Sequence, residues 1–408
     1  MNNSQLKAFE KFKKLKIGAL FMQMGTGKTK VAIELIDYNK CDLLVYVAPF
    51  STLKNIESEF AKWKIKTPYK LIAYETISSS DTKYLNLLNS LKGRVFIVAD
   101  ESIFIKNEET KRFKRLIQLR EKCEYALVLN GTPLTKNEWD LYNQMYFLSP
   151  LIINMNRDQF LNTFFKKITY KKKGQKENTF YKFSEVNAEQ LHKMIEPYIF
   201  KCDLDFEKNE SDNYIYVPYK DESDYYDKKE EKLKEYMQKG SSEIIINLLT
   251  SLTVISASYS CKNDELINYI KNKQIIVFCS FLSEIEYIED KVNCYVITGS
   301  TKKRDEIIEK FKNDSKPLIM TFGVGSYSLN LQFCNEIVYS SLTFDYAKIE
   351  QSKYRIKRIG QDKDIKYTYF LTDLGINKLI LENLKRKMTL ENLVKEKMEG
   401  GSEWLKYI

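Results

Sequence analysis

The feature that most constrains this chain is a short glycine loop between an apolar run and a helical pattern near the N-terminus. It reads Met-Gln-Met-Gly-Thr-Gly-Lys-Thr over residues 22–29. Glycines let backbone N–H groups surround phosphate oxygens, and the start of the following helix adds a partial positive charge. In such a loop the lysine reaches the β- and γ-phosphates and the last hydroxyl binds Mg²⁺. The spacing disfavours the alternative, a turn that merely ends a strand, and predicts ATP binding by Gly25, Thr26, Gly27, Lys28 and Thr29.

Apolar runs and helical patterns alternate along the rest of the chain, as in βαβ units around a parallel sheet. The pattern occurs twice, so we predict two α/β domains, at 1–205 and 241–408, with a linker or insertion at 206–240. The Ile-rich stretch at 244–255 suits a buried helix. The predicted strands are 18–22, 43–48, 70–74, 95–99 and 126–130 in the first half, and 274–279, 294–297, 317–321, 336–339 and 366–371 in the second.

Two adjacent acids, Asp100 and Glu101, end the apolar run that begins at Val95. Parallel sheets place ligands at the ends of their strands, where the loops open into a crevice. Asp100 would hold Mg²⁺ together with Thr29, and Glu101 would orient the attacking water and accept its proton. Alone, such a pair is typical of a solvated turn. Downstream of a phosphate loop it indicates nucleotide hydrolysis.

Composition excludes several other kinds of chemistry. The seven cysteines contain no Cys-x-x-Cys pair, which argues against a zinc site or a disulfide framework and fits a reducing compartment. The only histidine is His192, which we interpret as a surface residue, so catalysis must use carboxylates, lysine, arginine, hydroxyls and a bound ion. The net charge of +10 permits a polyanionic partner. With neither a membrane span nor a signal-peptide pattern, we expect no membrane partner and a cytoplasmic location.

Motifs in the first half resemble, in order, those of the Swi/Snf-type ATPases of helicase superfamily 2. Val-Ala-Pro-Phe-Ser-Thr-Leu-Lys-Asn from residue 47 is similar to the family's first DNA-contact motif, and Tyr-Glu-Thr from residue 74 to its second. Asp-Glu-Ser from residue 100 resembles the acidic motif, and Leu-Asn-Gly-Thr-Pro-Leu from residue 129 the coupling motif. The resemblance implies that Gln5 reads adenine and that Pro49, Ser51, Thr52, Tyr74 and Thr76 contact nucleic acid.

The second half continues the resemblance. Thr-Gly-Ser-Thr from residue 298 is similar to a turn that touches DNA phosphates, and Ser-Leu-Asn-Leu from residue 328 ends a segment similar to one that joins the nucleotide and DNA sites. The most specific match is 351–361, which fits Gln-x-x-x-Arg-x-x-Arg-x-Gly-Gln. The resemblance implies nucleic-acid contacts at Gly299, Ser300, Arg304 and Asn330.

The residue spacing in this last signature predicts nucleotide contacts independently of the resemblance. Gln351, Arg355 and Arg358 lie four and three residues apart, which predicts that they share one face of a helix. An arginine aimed at the γ-phosphate from the opposite lobe stabilises negative charge in the transition state. We therefore predict nucleotide contacts for Gln351 and Arg355 and the arginine-finger role for Arg358. The alternative is a solvated basic helix, which the glutamine and the terminal Gly-Gln disfavour.

The sequence also departs from the family pattern in places that bear on coupling. Ile103 stands where the family usually has a histidine that helps to couple the ATP and nucleic-acid sites, and Asn130 replaces a threonine of the coupling motif. Gly323, Ser326 and Ser328 differ from the more common Arg, Gly and Gly. ATP hydrolysis is expected despite these departures. They affect the coupling of the two sites and the class of nucleic acid that the chain binds.

The resemblance implies an α/β fold of two tandem RecA-like lobes with the ATP site in the cleft between them. ATP and Mg²⁺ are the expected cofactors, and DNA is the expected partner, with duplex favoured over single strands or RNA. The implied activity is that of a minimal translocase of the kind phages and bacteria carry, recruited by another protein. A strand-separating helicase, a nucleotide-gated switch and the motor of a defence complex remain alternatives.

Overall fold

The computed structural model describes residues 1–131, 139–170, 178–220, 223–239, 241–326, 329–358, 360–399 and 403–408. The chain divides into two compact units, Met1–Asp205 and Phe206–Ile408, here called unit 1 and unit 2. Each unit has its own sheet and its own hydrophobic core.

Unit 1 is built on a parallel sheet with helices on both faces. Its strands are β1 (Ile17–Met22), β2 (Leu43–Ala48), β3 (Tyr69–Ala73), β4 (Val95–Asp100), β5 (Tyr125–Asn130) and β8 (Ile199–Cys202), with β6 (Phe165–Tyr170) and β7 (Asn178–Phe183) in a separate antiparallel hairpin. The helices are α1 (Asn3–Phe12), α2 (Lys28–Tyr38), α3 (Leu53–Trp63), α4 (Tyr74–Ser79), α5 (Asp81–Ser90), α6 (Lys111–Glu121), α7 (Trp139–Leu148), α8 (Arg157–Phe164) and α9 (Glu185–Ile195). Among the described residues the sheet order is β3-β2-β4-β5-β1-β8.

The apolar strands of unit 1 are buried because both faces of the sheet are covered. Successive side chains of β2 alternate between two cores: Val45 and Val47 pack with the helices after β3, while Leu44 and Tyr46 pack with α1, α2 and α3. A parallel sheet covered in this way brings the carboxyl ends of its strands to one edge. The phosphate loop and the acid pair are therefore delivered to the same edge.

Unit 2 repeats this architecture. Its strands are β9 (Glu210–Val217), β10 (Ile276–Cys279), β11 (Tyr295–Ile297), β12 (Leu318–Thr321), β13 (Glu336–Tyr339) and β14 (Ile365–Thr372), and the described part of its sheet has the order β11-β12-β10-β13-β14-β9, all parallel. The helices are α10 (Ser223–Lys239), α11 (Ser242–Ser258), α12 (Ser260–Ile270), α13 (Leu282–Lys291), α14 (Arg304–Lys312), α15 (Tyr346–Lys353), α16 (Gly375–Arg386) and α17 (Leu390–Glu399).

The segment 206–240, predicted to be a linker or an insertion, is part of unit 2. Strand β9 pairs in parallel with β14 along its whole length, and α10 packs against α11. The prediction was wrong because β9 carries charged and exposed residues, which is typical of an edge strand and leaves little apolar signal in the sequence.

Helix α11 contains the Ile-rich stretch and is buried in the core of unit 2, as predicted. Within the described residues, no single helix has the length and apolar character needed to cross a membrane. Helices α11 and α12 would meet those requirements only as a pair, with a bend of 53° between them.

Candidate nucleotide-binding site

The phosphate loop joins β1 to α2 through two glycines in the left-handed backbone region. Their φ angles are 83° at Gly25 and 81° at Gly27, which residues with a Cβ atom rarely adopt. A Cβ at Gly27 would also lie 2.3 Å from Nε2 of Gln5. Gly27 precedes the first turn of α2, and no side chain caps that turn. The N–H groups of such a turn have no acceptor within the helix, and they suit phosphate oxygens.

Gln5 lies against this loop. Its Nε2 donates to the carbonyl of Thr26 at 2.9 Å, and its Oε1 accepts from the N–H of Asn2 at 2.9 Å. These bonds join the start of α1 to the phosphate loop. A primary amide has further donor and acceptor capacity, so the predicted contact with adenine stays a prediction.

The structure brings Lys28, Asp100 and Glu101 together. The phosphate loop follows β1 and the acid pair follows β4, and these strands flank β5 in the sheet. The Nζ of Lys28 lies 3.5 Å from Oε1 of Glu101, and a Cβ at Gly131, just after β5, would lie 3.4 Å from that Nζ. Three neighbouring strand ends therefore surround one ammonium group.

Glu101 has φ 49° and ψ 56°, a left-handed conformation that costs a non-glycine residue free energy. Its backbone N–H donates to Oδ1 of Asp100 at 2.9 Å. Burial raises the pKa of the Asp100 carboxyl, while the charge of Lys28 opposes that rise. Strained backbone next to a buried carboxylate is a common property of catalytic sites.

Tyr46 is a site residue that sequence reasoning missed. It lies in β2, is fully buried, and donates its hydroxyl hydrogen to Oδ2 of Asp100 at 2.9 Å. The Thr29 side chain lies beside the Tyr46 hydroxyl and acts to lower its pKa. Burial and the charge of Asp100 raise the pKa of Tyr46 well above its usual value, so the phenol stays protonated. The only signal in the sequence is a tyrosine inside an otherwise apolar strand.

Thr29 and Asp100, the two predicted magnesium ligands, thus both adjoin the Tyr46 hydroxyl. Mg²⁺ is usually held by one or two protein oxygens together with phosphate oxygens and water. One carboxylate and one hydroxyl beside a phosphate loop fit that donor set.

The signature at 351–361 has a different geometry from the one predicted. Helix α15 ends at Lys353, so Gln351 lies in its last turn while Arg355 and Arg358 lie in the turns that follow. The expectation of one continuous helical face was therefore wrong. The N–H of Leu331 donates to the carbonyl of Arg355 at 3.1 Å, which fixes these turns against the neighbouring segment.

The two arginines of the signature differ in exposure. Arg355 is 2% exposed, and this burial within unit 2 disfavours direct contact with a phosphate. Arg358 is partly exposed, and its guanidinium donates to the carbonyl of Tyr354 at 2.7 Å and to Oδ1 of Asn330. The structure thereby joins Arg358 to Asn330, two residues for which the resemblance implied nucleotide and nucleic-acid contacts.

The nucleic-acid residues predicted in unit 1 are not all accessible. Pro49, Thr52 and Tyr74 are buried, whereas Ser51 and Thr76 are partly exposed. The Tyr74 hydroxyl donates to the backbone carbonyl of Asp100 at 2.8 Å, so its buried side chain supports the backbone of Asp100 and cannot reach a nucleic acid. The neighbouring Phe50, not singled out as a contact, is 70% exposed.

The corresponding residues in unit 2 form an exposed turn. Gly299 and Ser300 are exposed, and the guanidinium of Arg304 donates to the carbonyls of Thr298 and Gly299 at 2.9 and 3.0 Å. Arg304 therefore braces the turn, and Gly299 and Ser300 form its surface. Asn330 is also exposed.

Two protein families match this chain. The SNF2-related domain matches residues 65–264, and the helicase conserved C-terminal domain matches residues 261–360. Both matches lie on the two parallel-sheet units described above. The chain belongs to the Swi/Snf-type ATPases of helicase superfamily 2. Its two units are the tandem RecA-like lobes of that family. The phosphate loop precedes the matched range, so its assignment rests on its own geometry and sequence.

Several curated proteins are similar to this ATPase over most of its length. An uncharacterised ATP-dependent helicase of Mycoplasma genitalium is 23% identical, with 93% of this chain and 40% of the relative aligned. Its counterpart in Mycoplasma pneumoniae is 25% identical over 85% of this chain and 37% of the relative. The SWI/SNF chromatin-remodeling complex subunit snf22 of Schizosaccharomyces pombe is 25% identical over 92% of this chain and 26% of the relative. This ATPase spans two fifths or less of the length of these relatives.

Proposed function

We propose that this chain hydrolyses Mg-ATP and couples hydrolysis to movement along DNA, with duplex DNA as the preferred track. One observation supports this most strongly: the Lys28 ammonium lies 3.5 Å from Glu101, beside buried Asp100, at the end of a glycine phosphate loop. A cation for phosphate oxygens and a carboxylate for the attacking water are the parts that phosphoryl transfer requires.

The proposed roles in unit 1 follow from these positions. Lys28 and the loop N–H groups, including those of Gly25, Thr26 and Gly27, bind the phosphates. Glu101 orients the water and accepts its proton, which becomes possible when the γ-phosphate draws Lys28 away from the carboxylate. Asp100 and Thr29 would hold Mg²⁺, which when bound neutralises phosphate charge.

The proposed roles in unit 2 rest on the signature. Arg358 supplies its guanidinium to the γ-phosphate, where it stabilises the charge of the transition state. Gln351 contributes a polar contact to the nucleotide, and Arg355, being buried, supports the turn that carries Arg358. The link between Arg358 and Asn330 would let nucleotide and nucleic acid influence one another.

Nucleic acid is proposed to contact Ser51 and Thr76 in unit 1 and Gly299, Ser300 and Asn330 in unit 2. These are small polar groups and backbone amides, which suit phosphate oxygens and carry no base-specific pattern. Binding should therefore be insensitive to sequence and should weaken steeply with salt. A recruiting protein, as the resemblance implies, is proposed as a further partner.

The test is ATP turnover by the purified protein, alone and with duplex DNA, single-stranded DNA or RNA. Lys28→Ala should abolish turnover, and Lys30→Ala is the matched control, since Lys30 lies in the same helix but pairs with Glu34. Stimulation by duplex DNA, followed by triplex displacement, would support a translocase. Stimulation by single strands or RNA alone would favour a strand-separating helicase. A lack of any stimulation would favour a nucleotide-gated switch and contradict the proposal.

A further inference from the structure

The short 3₁₀ helix Ser102–Ile105 follows the acid pair directly and carries an accessible aromatic residue. Phe104 is 36% exposed, and its backbone N–H donates to the carbonyl of Glu101 at 3.0 Å. A side chain that solvent can reach is therefore one hydrogen bond away from the residue proposed to activate water.

The Phe104 ring stacks on a buried ring whose hydroxyl reaches the backbone of Asp100. The rings of Phe104 and Tyr74 have centroids 5.3 Å apart and planes only 5° apart. Tyr74 is 0% exposed, and its hydroxyl donates to the carbonyl of Asp100 at 2.8 Å. The two stacked rings thus connect a solvent-exposed side chain to the backbone of Asp100. The 3₁₀ helix connects the same side chain to the backbone of Glu101.

A cation lies beside this stack, and a second exposed aromatic adjoins the first turn of α4. The Arg112 guanidinium is 5.3 Å from the Phe104 ring centroid and 5.8 Å from that of Tyr74. Phe50 is 70% exposed, and its N–H donates to Oε2 of Glu75 at 3.0 Å, so Phe50 also adjoins the first turn of α4. We call Phe50, Phe104 and Arg112 the aromatic ledge.

The chemistry of the aromatic ledge matches a nucleotide better than a lone phosphate. Aromatic rings stack on bases whatever the sequence, and a guanidinium beside a ring can bind the phosphate that follows. The same apolar rings can also press against the sugar edges of a minor groove. Unpaired bases and minor-groove sugars both offer an apolar surface next to a phosphate. Either can therefore pack on the rings while the guanidinium binds the phosphate.

We propose that Phe104 is a positioning residue through which bound nucleic acid acts on the hydrolytic carboxylates. This inference rests on the proposed function and identifies the residue that couples nucleic-acid binding to ATP hydrolysis. A nucleotide packed on Phe104 presses its ring onto Tyr74 and fixes the 3₁₀ helix. The helix in turn holds Glu101 in its left-handed conformation, with the carboxylate directed at the phosphate loop.

The conformation of Glu101 explains why such support matters. At φ 49° and ψ 56° the residue is held by its surroundings and not by its own preference. The hydrogen bond from Phe104 closes this turn, and Ser102 anchors the helix through its side-chain hydrogen bond to buried Gln144. The apolar side chain of Ile103 supplies no hydrogen bond. Phe104 is the exposed residue of this helix, and it is therefore where a ligand can act.

The test compares the nucleic-acid-saturated ATPase rate of each variant with the same variant's rate without nucleic acid. Phe104→Ala should lower this ratio at least tenfold, even at saturating nucleic acid, and Phe104→Tyr should restore it. Phe50→Ala should raise the half-stimulating concentration of nucleic acid several-fold but reach the wild-type ratio at saturation, because Phe50 has no bond to the acid pair. Leu85→Ala truncates another exposed apolar side chain, on α5, which is 51% exposed; it is the control and should match wild type in both quantities.

Duplex DNA, single-stranded DNA and a poly-U RNA are the probes. They distinguish whether Phe104 packs on minor-groove sugars or on unpaired bases. A Phe104 effect on duplex stimulation indicates minor-groove sugars, and one confined to single strands indicates unpaired bases. A wild-type ratio for Phe104→Ala at saturation would overturn this inference and leave the proposed function standing. A wild-type enzyme that none of the probes stimulates would overturn both. Thermal unfolding of each variant separates a lost coupling from a lost fold.

Discussion

The two units place their key residues in different ways. In unit 1 the reactive side chains follow directly from strand ends: Lys28 begins the helix after β1, and Asp100 ends β4. In unit 2, Arg358 lies five residues beyond the end of the helix that its spacing had predicted to carry it, and it is positioned by hydrogen bonds to Tyr354 and Asn330.

The difference shows which kind of site a sequence specifies. A strand end in a parallel sheet has a fixed place, so a motif there can be located from the sequence alone. A turn after a short helix is fixed by contacts that come from elsewhere in the chain, here from the segment at Asn330 and Leu331.

The largest expected effect concerns the folding of unit 2. A fragment of residues 241–408 lacks β9 and α10, so Tyr367 and Tyr369 lose their acceptors Glu210 and Asp212. We expect it to lose several kcal/mol of stability relative to a fragment of residues 206–408, a midpoint lower by roughly 10 °C or more. Thermal unfolding followed by circular dichroism measures this. Equal midpoints would restore the interpretation of 206–240 as a linker.

Arg358→Ala should reduce the turnover of saturating ATP on the order of 10³-fold or more, since loss of an arginine finger typically costs that much. Nucleotide affinity, measured with a fluorescent analogue, should change little. Arg358→Lys should recover part of the rate, because it keeps the charge but not the forked geometry. Lys348→Ala removes an exposed cation from α15 and serves as control. Normal turnover in Arg358→Ala would remove the finger role.

Glu101→Gln should reduce turnover on the order of 10²–10⁴-fold, the usual contribution of a general base, while ATP still binds. The substitution removes the charge that pairs with Lys28, so ATP affinity should hold or rise. Single-turnover kinetics separate binding from chemistry. Glu57→Gln, at an exposed position on α3, is the matched control. Substantial residual hydrolysis would assign the base elsewhere.

Tyr46→Phe has the smallest expected effect. It tests whether Mg²⁺ binding in unit 1 depends on a residue outside the sequence motifs. Removing the hydroxyl that donates to Asp100 should raise the half-saturating Mg²⁺ concentration on the order of tenfold, as for other groups that orient metal ligands. Tyr142→Phe also deletes a tyrosine hydrogen bond in unit 1, to the Met155 carbonyl, and should leave the Mg²⁺ dependence unchanged. If the two variants behave alike, Tyr46 contributes only stability.

Much of the fold could be predicted because its signals are local. The strands at 43–48 and 336–339 were predicted with both ends correct, and the strand at 18–22 to within one residue, since each is an apolar run between turns. Strands β8 and β9 were missed because both lie at sheet edges and bury little of their surface. The hairpin of β6 and β7 was missed because a run of lysines is typical of a solvated loop.

The sequence by itself determined the chemistry of this protein: a phosphate loop, a pair of acids and a basic signature, in the order of a Swi/Snf-type ATPase. Residue types and short spacings suffice for this, because glycine geometry and strand ends act within a few residues. Only the tertiary structure decided that Tyr46 serves the carboxylates, that Tyr74 is buried beneath them and that Phe104 stays accessible. The two hydrogen bonds to Asp100 join residues 54 and 26 positions apart, and packing between whole elements sets such contacts.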